Sequence, residues 1–317
     1  MKIVLFSILT IFMLHSVVWA EMEPRKVAFK KTAQDTLYLF LFEPDSQAAT
    51  KSAIVFFFGG GWVNGNPSQF FQHSRYLASR GMTAICAEYR IFSKHGTTPF
   101  ECIEDGKSAV RWIRLHADDL GIDPNRIVAA GGSAGGHVAA CTAVIDGFDS
   151  ESEDQRISSE PNALVLFNPV IDTTERGYGA KKLNGRVTEI SPVFHVKTGL
   201  PPTIIFHGTE DTTVPFENVA RFCRLMKEKG NLCELVPFEG HKHAFFNYGK
   251  FDNKPYIETV EAMDRFLVKQ GFLSGEPTIN EENLEQHSAA TEKATTNLEQ
   301  HSAATEKATT NLHECDE

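Results

Sequence analysis

The stretch RIVAAGGSAGGHVAACTAVI, Arg126 to Ile145, starts as an apolar run, passes through four glycines around a serine, and ends in an apolar helical pattern. A strand that becomes a helix within six residues is the join of an α/β unit. At that join, Gly131-x-Ser133-x-Gly135 fits a nucleophile elbow. Such a serine must stand on a tight, strained turn with its hydroxyl thrust outward. Side chains two positions either side would collide with neighbouring backbone, hence the glycines. The N-terminus of the following helix favours negative charge developing close by.

Outward from this join the same alternation repeats. Apolar or β-branched runs occur at Leu37–Phe42, Ala53–Phe58, Thr83–Ala87, Arg126–Ala130, Ala163–Phe167, Thr203–Phe206 and Leu232–Pro237. Helical patterns fall at Gln69–Arg80, Ile103–His116, Gly135–Ile145, Phe216–Lys229 and Tyr256–Gln270. Strands that are apolar throughout and separated by helices predict a mostly parallel central sheet covered on both faces, the α/β class. Ligands of such sheets sit beyond the carboxyl ends of the strands, so the chemistry belongs in the loops after those runs.

Three loops carry it. After Ala53–Phe58 come Gly59-Gly60-Gly61-Trp62, a backbone able to approach a ligand closely and turn N–H groups inward. Together with the N–H of Ala134, the residue after the serine, they form a candidate oxyanion hole. After Thr203–Phe206 come Glu210 and Asp211; after Leu232–Pro237 come His241 and His243. An acid after one strand and a histidine after the next complete the order serine, acid, histidine, with the histidine as general base and the acid fixing its tautomer. Spacing leaves open which acid and which histidine. His241-x-His243 lacks the third imidazole or helical spacing of a zinc site, so no metal or other cofactor is expected.

These residues resemble the α/β-hydrolase superfamily, and within it the esterases of the hormone-sensitive-lipase and bacterial acetyl esterase/feruloyl esterase (BD-FAE-like) type. The resemblance runs from about Thr50 to Phe272. It rests on FFFGGGWVNG (Phe56 to Gly65), EYR (Glu88 to Arg90), GIDPNRI (Gly121 to Ile127), GGSAGGH (Gly131 to His137), HGTEDTTVP (His207 to Pro215) and HAFFN (His243 to Asn247). It implies an α/β-hydrolase fold, to which the short chain between Ala163–Phe167 and Thr203–Phe206 adds no large cap domain, and a serine ester hydrolase with Ser133, Asp211 and His243 as triad, because the family's acid and base match Asp211 and His243. It also implies Gly60, Gly61 and Ala134 as the oxyanion hole. Where the family has His before the glycines, this chain has Phe58. Trp62, Asn64 and His137 are candidate substrate-pocket residues, and Trp62, Phe70 and Phe71 candidate pocket walls.

Composition bounds the partners. The 317 residues are 42% hydrophobic and 23% charged with a net charge of -10, which excludes collagen-like, coiled-coil and wholly disordered chains. No basic field is available for nucleic acid. Lys2, the apolar run Ile3 to Val18 and Val18-Trp19-Ala20 read as a cleavable signal peptide over residues 1–20, hence a secreted or periplasmic protein with no stable membrane insertion after cleavage. Residues 21–273 are the expected catalytic domain. Residues 274–317 read as a disordered acidic tail, in which NLEQHSAATEKATT at Asn283 to Thr296 recurs at Asn297 to Thr310.

The short chain between the Ala163–Phe167 and Thr203–Phe206 runs favours an open site and short acyl groups, acetyl esters of polysaccharides or small molecules among them. A prolyl-oligopeptidase-like serine peptidase and a silent hydrolase-fold binding protein are the alternatives. Of the six cysteines, Cys223 and Cys233 are close enough in the chain to pair. Oligomeric state is not legible.

Overall fold

A computed structural model describes residues 22–45, 49–281 and 284. The expected signal segment, the repeats and Cys315 lie outside the described residues. Eight strands form one sheet: β1 (Arg25–Lys31), β2 (Thr36–Phe42), β3 (Ala53–Phe57), β4 (Thr83–Ala87), β5 (Ile127–Gly132), β6 (Ala163–Phe167), β7 (Thr203–Gly208) and β8 (Cys233–Phe238). Their order is β1-β2-β4-β3-β5-β6-β7-β8. From β4 onward all pairings are parallel; β2 is antiparallel to both its neighbours, β1 and β4.

The helices are α1 (Phe71–Ser79), α2 (Phe92–His95), α3 (Pro99–Leu115), α4 (Ala134–Val144), α5 (Phe216–Glu228) and α6 (Lys254–Lys269). Alternation along the strands sends successive side chains to opposite faces. Phe56 meets Phe70 and His73 on the α1 side, while Phe57 approaches Gly106 of α3. On the first face Tyr76 of α1 donates to Asp264 of α6, and Arg80 pairs with the same carboxylate at 2.6 Å. The helix α3 is started by a capping box, Thr98 with Glu101, and by Pro99 in its first turn.

Besides the short helix α2, which no helical pattern announced, two features differ from the sequence-based expectation. The strand β1 was not expected, because RKVAFKK is largely exposed and carries four cations; it exists by pairing with β2. The packed chain also continues past Leu273, the expected end of the domain. Arg80 donates to the carbonyls of Ser274 and Gly275, the Thr278 N–H donates to the Tyr76 hydroxyl, and Ile279 is buried. Cys223 and Cys233 do lie together, the Cys223 thiol donating to the Cys233 carbonyl at 3.1 Å, but both are free thiols.

Candidate active site

Five strands deliver the site to the carboxyl edge of the sheet. Ser133 caps α4 directly after β5, with φ +53° and ψ -118°, a strained conformation for a residue with a Cβ. The flanking glycines are required by space. A Cβ on Gly131 would lie 2.5 Å from the Gly135 backbone, and one on Gly135 would lie 2.0 Å from the Phe57 carbonyl oxygen. The strand and helix therefore approach so closely that the serine between them has only one way to point. Its N–H donates to the Phe167 carbonyl, and its own carbonyl accepts from Val170 and His137. These bonds pin the elbow to the end of β6 and to the next turn of α4.

Asp211, in the turn after β7, and His243, in the loop after β8, converge on Ser133. His243 Nδ1 lies 2.7 Å from Asp211 Oδ2, and Nε2 lies 2.9 Å from Ser133 Oγ. Burial alone would raise the Asp211 pKa. The bond from His243 and the N–H of Val214 outweigh it and hold the carboxyl below its usual value. An ionised carboxylate only accepts, so Nδ1 carries the proton and Nε2 accepts from the serine hydroxyl. Thr213 N–H also donates to Asp211 at 2.9 Å. Buried His207 donates to the Val214 carbonyl at 2.9 Å and supports this turn; burial lowers its pKa, so it stays neutral. Glu210 is exposed, and His241 packs its ring against Phe238, Phe245 and Phe251.

The glycine loop divides its amides. Gly59 N–H is taken by Gln69 Oε1 at 2.6 Å. Those of Gly60, Gly61 and Ala134 donate to no other group among the described residues. The Gly60 carbonyl accepts from Val63 and Asn64 inside the turn. In a trans peptide N–H and C=O point opposite ways, so the Gly61 N–H faces out of that turn. Phe58 stacks on Tyr89 with centroids 4.2 Å apart, and the Tyr89 hydroxyl donates to the Phe58 carbonyl at 2.6 Å. An apolar stack thus anchors the loop at the position where the resemblance expected a histidine.

The candidate pocket residues separate. Asn64 is exposed on the loop. His137 is fully buried beneath the site, Nε2 against the Ile190 carbonyl at 2.7 Å, with burial pushing its pKa down to about 4. It is a packing residue rather than a pocket one. Trp62 stands edge-on to that ring and is itself 1% exposed. Phe70 is buried between Phe56, Phe167 and Phe246, and Phe71 packs on Phe40 and Phe42 of β2.

Four residues that sequence reasoning did not single out support the loops. Gln69 bridges Gly59 to Asn247. Asn168, just after β6, accepts the Ala244 N–H at 3.0 Å. Lys182 donates to the Gly61 carbonyl at 2.9 Å and contacts the Tyr178 hydroxyl at 3.2 Å. Only Asn247 stood within a motif, HAFFN; the others act across gaps that no spacing reveals. Among the described residues no cluster of three or more His, Cys, Asp or Glu has an arrangement that would hold a metal ion.

The profile of the BD-FAE family matches residues 39–226. Esterase 2 of Thermogutta terrifontis superposes with a TM-score of 0.77 at 48% identity, over 81% of this chain and 98% of that one. That esterase has been solved with propionate or butyrate bound and phosphorylated by paraoxon. A probable isoprenylcysteine alpha-carbonyl methylesterase of Arabidopsis thaliana is 27% identical over 69% of this chain and 50% of its own. Endo-1,4-beta-xylanase B of Butyrivibrio fibrisolvens is 35% identical over 48% of this chain and 26% of its own. The chain spans about half the length of the first of these curated relatives.

Proposed function

The chain belongs to the BD-FAE family of α/β-hydrolase esterases, and from that premise we propose that it is an exported carboxylic ester hydrolase releasing short acyl groups, acetyl foremost, from polysaccharide esters. The observation that carries this reading is the unbroken line Asp211–His243–Ser133 at 2.7 and 2.9 Å, beside three amides without partners.

In this reading Ser133 Oγ attacks the ester carbonyl carbon while His243 Nε2 takes its proton. Asp211 stabilises the imidazolium through Nδ1. The oxyanion is held by the N–H groups of Gly60, Gly61 and Ala134, the last at the positive end of α4. Collapse breaks the bond to the alkoxy oxygen, which leaves with the proton from Nε2. Water, deprotonated by the same nitrogen, then attacks the acyl-serine and releases the acid. Every proton taken is returned within the cycle, so this route needs no metal or redox group.

Short acyl chains are favoured by the chain between β6 and β7. Residues 168–202 contain only two 3-10 turns, Ala180–Lys182 and Pro192–Phe194, beyond irregular structure. The propionate and butyrate complexes of the similar esterase support the same range. Kinship to part of a protein named as a xylanase supports polysaccharide esters. Export rests on the basic and apolar start of the sequence.

The test is hydrolysis of p-nitrophenyl acetate with Ser133→Ala beside it and stoichiometric paraoxon as a probe. The substitution lowers kcat by about a thousandfold or more, and paraoxon labels Ser133 once per chain. Activity that survives Ser133→Ala refutes the triad.

A further inference from the structure

Beside the glycine loop, and not part of the triad, runs a cleft of about 450 Å³. Trp62 and Val63 form one wall, Phe92 and Thr97–Pro99 another, and Lys181, Lys182 and Asn184 the third. All three walls stand at the carboxyl edge of the sheet, after β3, β4 and β6, which is the edge that carries Ser133.

Two features of this cleft stand out chemically. Its walls are mostly apolar, and Phe92 there is 60% exposed. Its third wall is basic in an acidic protein: residues 168–202 carry five Lys or Arg against three Asp or Glu, while the whole chain stands at -10. Arg186 of that segment pairs with Glu189, and Lys197 with Asp146. Lys182 is held over the Tyr178 ring at 4.8 Å and bonded to the Gly61 carbonyl. Lys181 is exposed on the rim and has no acidic partner among the described residues. Glu101, two residues after Pro99 of the opposite wall, is turned back onto the Thr98 N–H and hydroxyl. An uncompensated cation therefore overlooks an apolar slot that is continuous with the candidate oxyanion loop.

We propose that this cleft is a substrate subsite for an apolar group ending in a carboxylate. Lys181 reads the carboxylate, and Val63 and Phe92 receive the stem. The inference rests on the ester-hydrolase reading of the site and narrows its substrates to esters that carry an acidic group on the same molecule. Lys182, bonded to the loop itself, ties the wall of the subsite to the amides that hold the oxyanion.

The probes are sodium 4-acetoxycinnamate and its uncharged counterpart 4-acetoxycinnamamide, hydrolysed by the full chain at low salt. The carboxylate has the higher kcat/KM by about three- to fivefold, the scale of one exposed charge pair. The preference shrinks in 0.5 M salt. Lys181→Gln removes it and Lys181→Glu inverts it, while turnover of the amide stays within about twofold, since Lys181 touches no part of the triad. Equal kcat/KM for the two esters in the unaltered protein, or a preference that neither variant moves, overturns the proposal. Binding of 4-hydroxycinnamate, followed by titration calorimetry, separates it from the function it rests on. If no ester is hydrolysed yet this anion binds more weakly to Lys181→Glu, the hydrolase reading falls and the subsite stands; equal affinity overturns the subsite.

Discussion

Ala244 follows the histidine of the site and has a backbone φ of +64°. The left-handed region costs a residue with a Cβ about 1–2 kcal/mol. What holds alanine there is the Asn168 carboxamide, which accepts the Ala244 N–H at 3.0 Å from a residue itself at φ +33°. The loop after β8 is thus kept in place by a hydrogen bond that offsets local strain. Ala244→Gly relieves the strain, and part of the gain is returned as greater freedom of the unfolded chain. The net is a stabilisation of about 0.5–1 kcal/mol, seen as a rise of roughly 2–4 °C in the thermal midpoint. A midpoint that stays or falls would show that alanine is not strained there. Ser133 is strained too, at φ +53°, but glycine there would remove the hydroxyl that the geometry exists to present.

At the scale of elements, the trio Glu88, Tyr89 and Arg90 joins β4 to its surroundings. Glu88 accepts the Tyr38 N–H of β2, Tyr89 anchors the glycine loop through Phe58, and Arg90 grips Asp105 of α3 by two bonds of 2.8 Å. Lys30 of β1 reaches the same carboxylate at 2.8 Å. Asp105 is fully buried, so Asp105→Ala leaves two poorly solvated cations, Lys30 and Arg90, sharing Glu104 as their remaining ion-pair partner. Breaking a buried pair from one side costs about 3–5 kcal/mol; urea unfolding at neutral pH reads that loss, and a change below about 1 kcal/mol would mean water reaches the pair. The same network explains what the sequence hid. Strands β3 to β7 are apolar on both faces and announce themselves as runs, whereas β1, half exposed and rich in lysine, is visible only once Lys30 is seen against Asp105. Ser133 was legible from its strand-to-helix join; strand order offered Glu210 or Asp211 and His241 or His243, and the family resemblance pointed to Asp211 and His243. Gln69, Asn168 and Lys182 were not legible, because each acts on a backbone group that only the folded chain brings near.

For the molecule as a whole, acid stability turns on buried imidazoles. His73 of α1 is fully enclosed by Phe56, Phe70, Phe167, Phe246 and Tyr256, with neither ring nitrogen bonded, and burial pushes its pKa down to about 3. Burial lowers that of His137 to about 4 and lowers that of His207 as well. An unfolded histidine titrates near 6.5. Between that pH and about 4 the unfolded chain therefore binds protons that the native protein refuses. The slope of unfolding free energy with pH is then positive, so stability falls as the solution is acidified. Each such histidine contributes up to about 1.4 kcal/mol per pH unit within the window. Asp211, held below its usual pKa, loses its contribution in the same direction at still lower pH. Other carboxylates share that sense, so the comparison that isolates His73 is with His73→Phe, whose ring suits an aromatic enclosure that offers no hydrogen-bond partner. Urea unfolding at pH 7, 6, 5 and 4.5 gives a variant curve shallower than the parent's by about 1.4 kcal/mol per unit below pH 6, with the two proteins nearest in stability at pH 7. Parallel curves would place His73 in contact with solvent or with an anion, and the enclosed aromatic face between α1 and α6 would have to be redrawn.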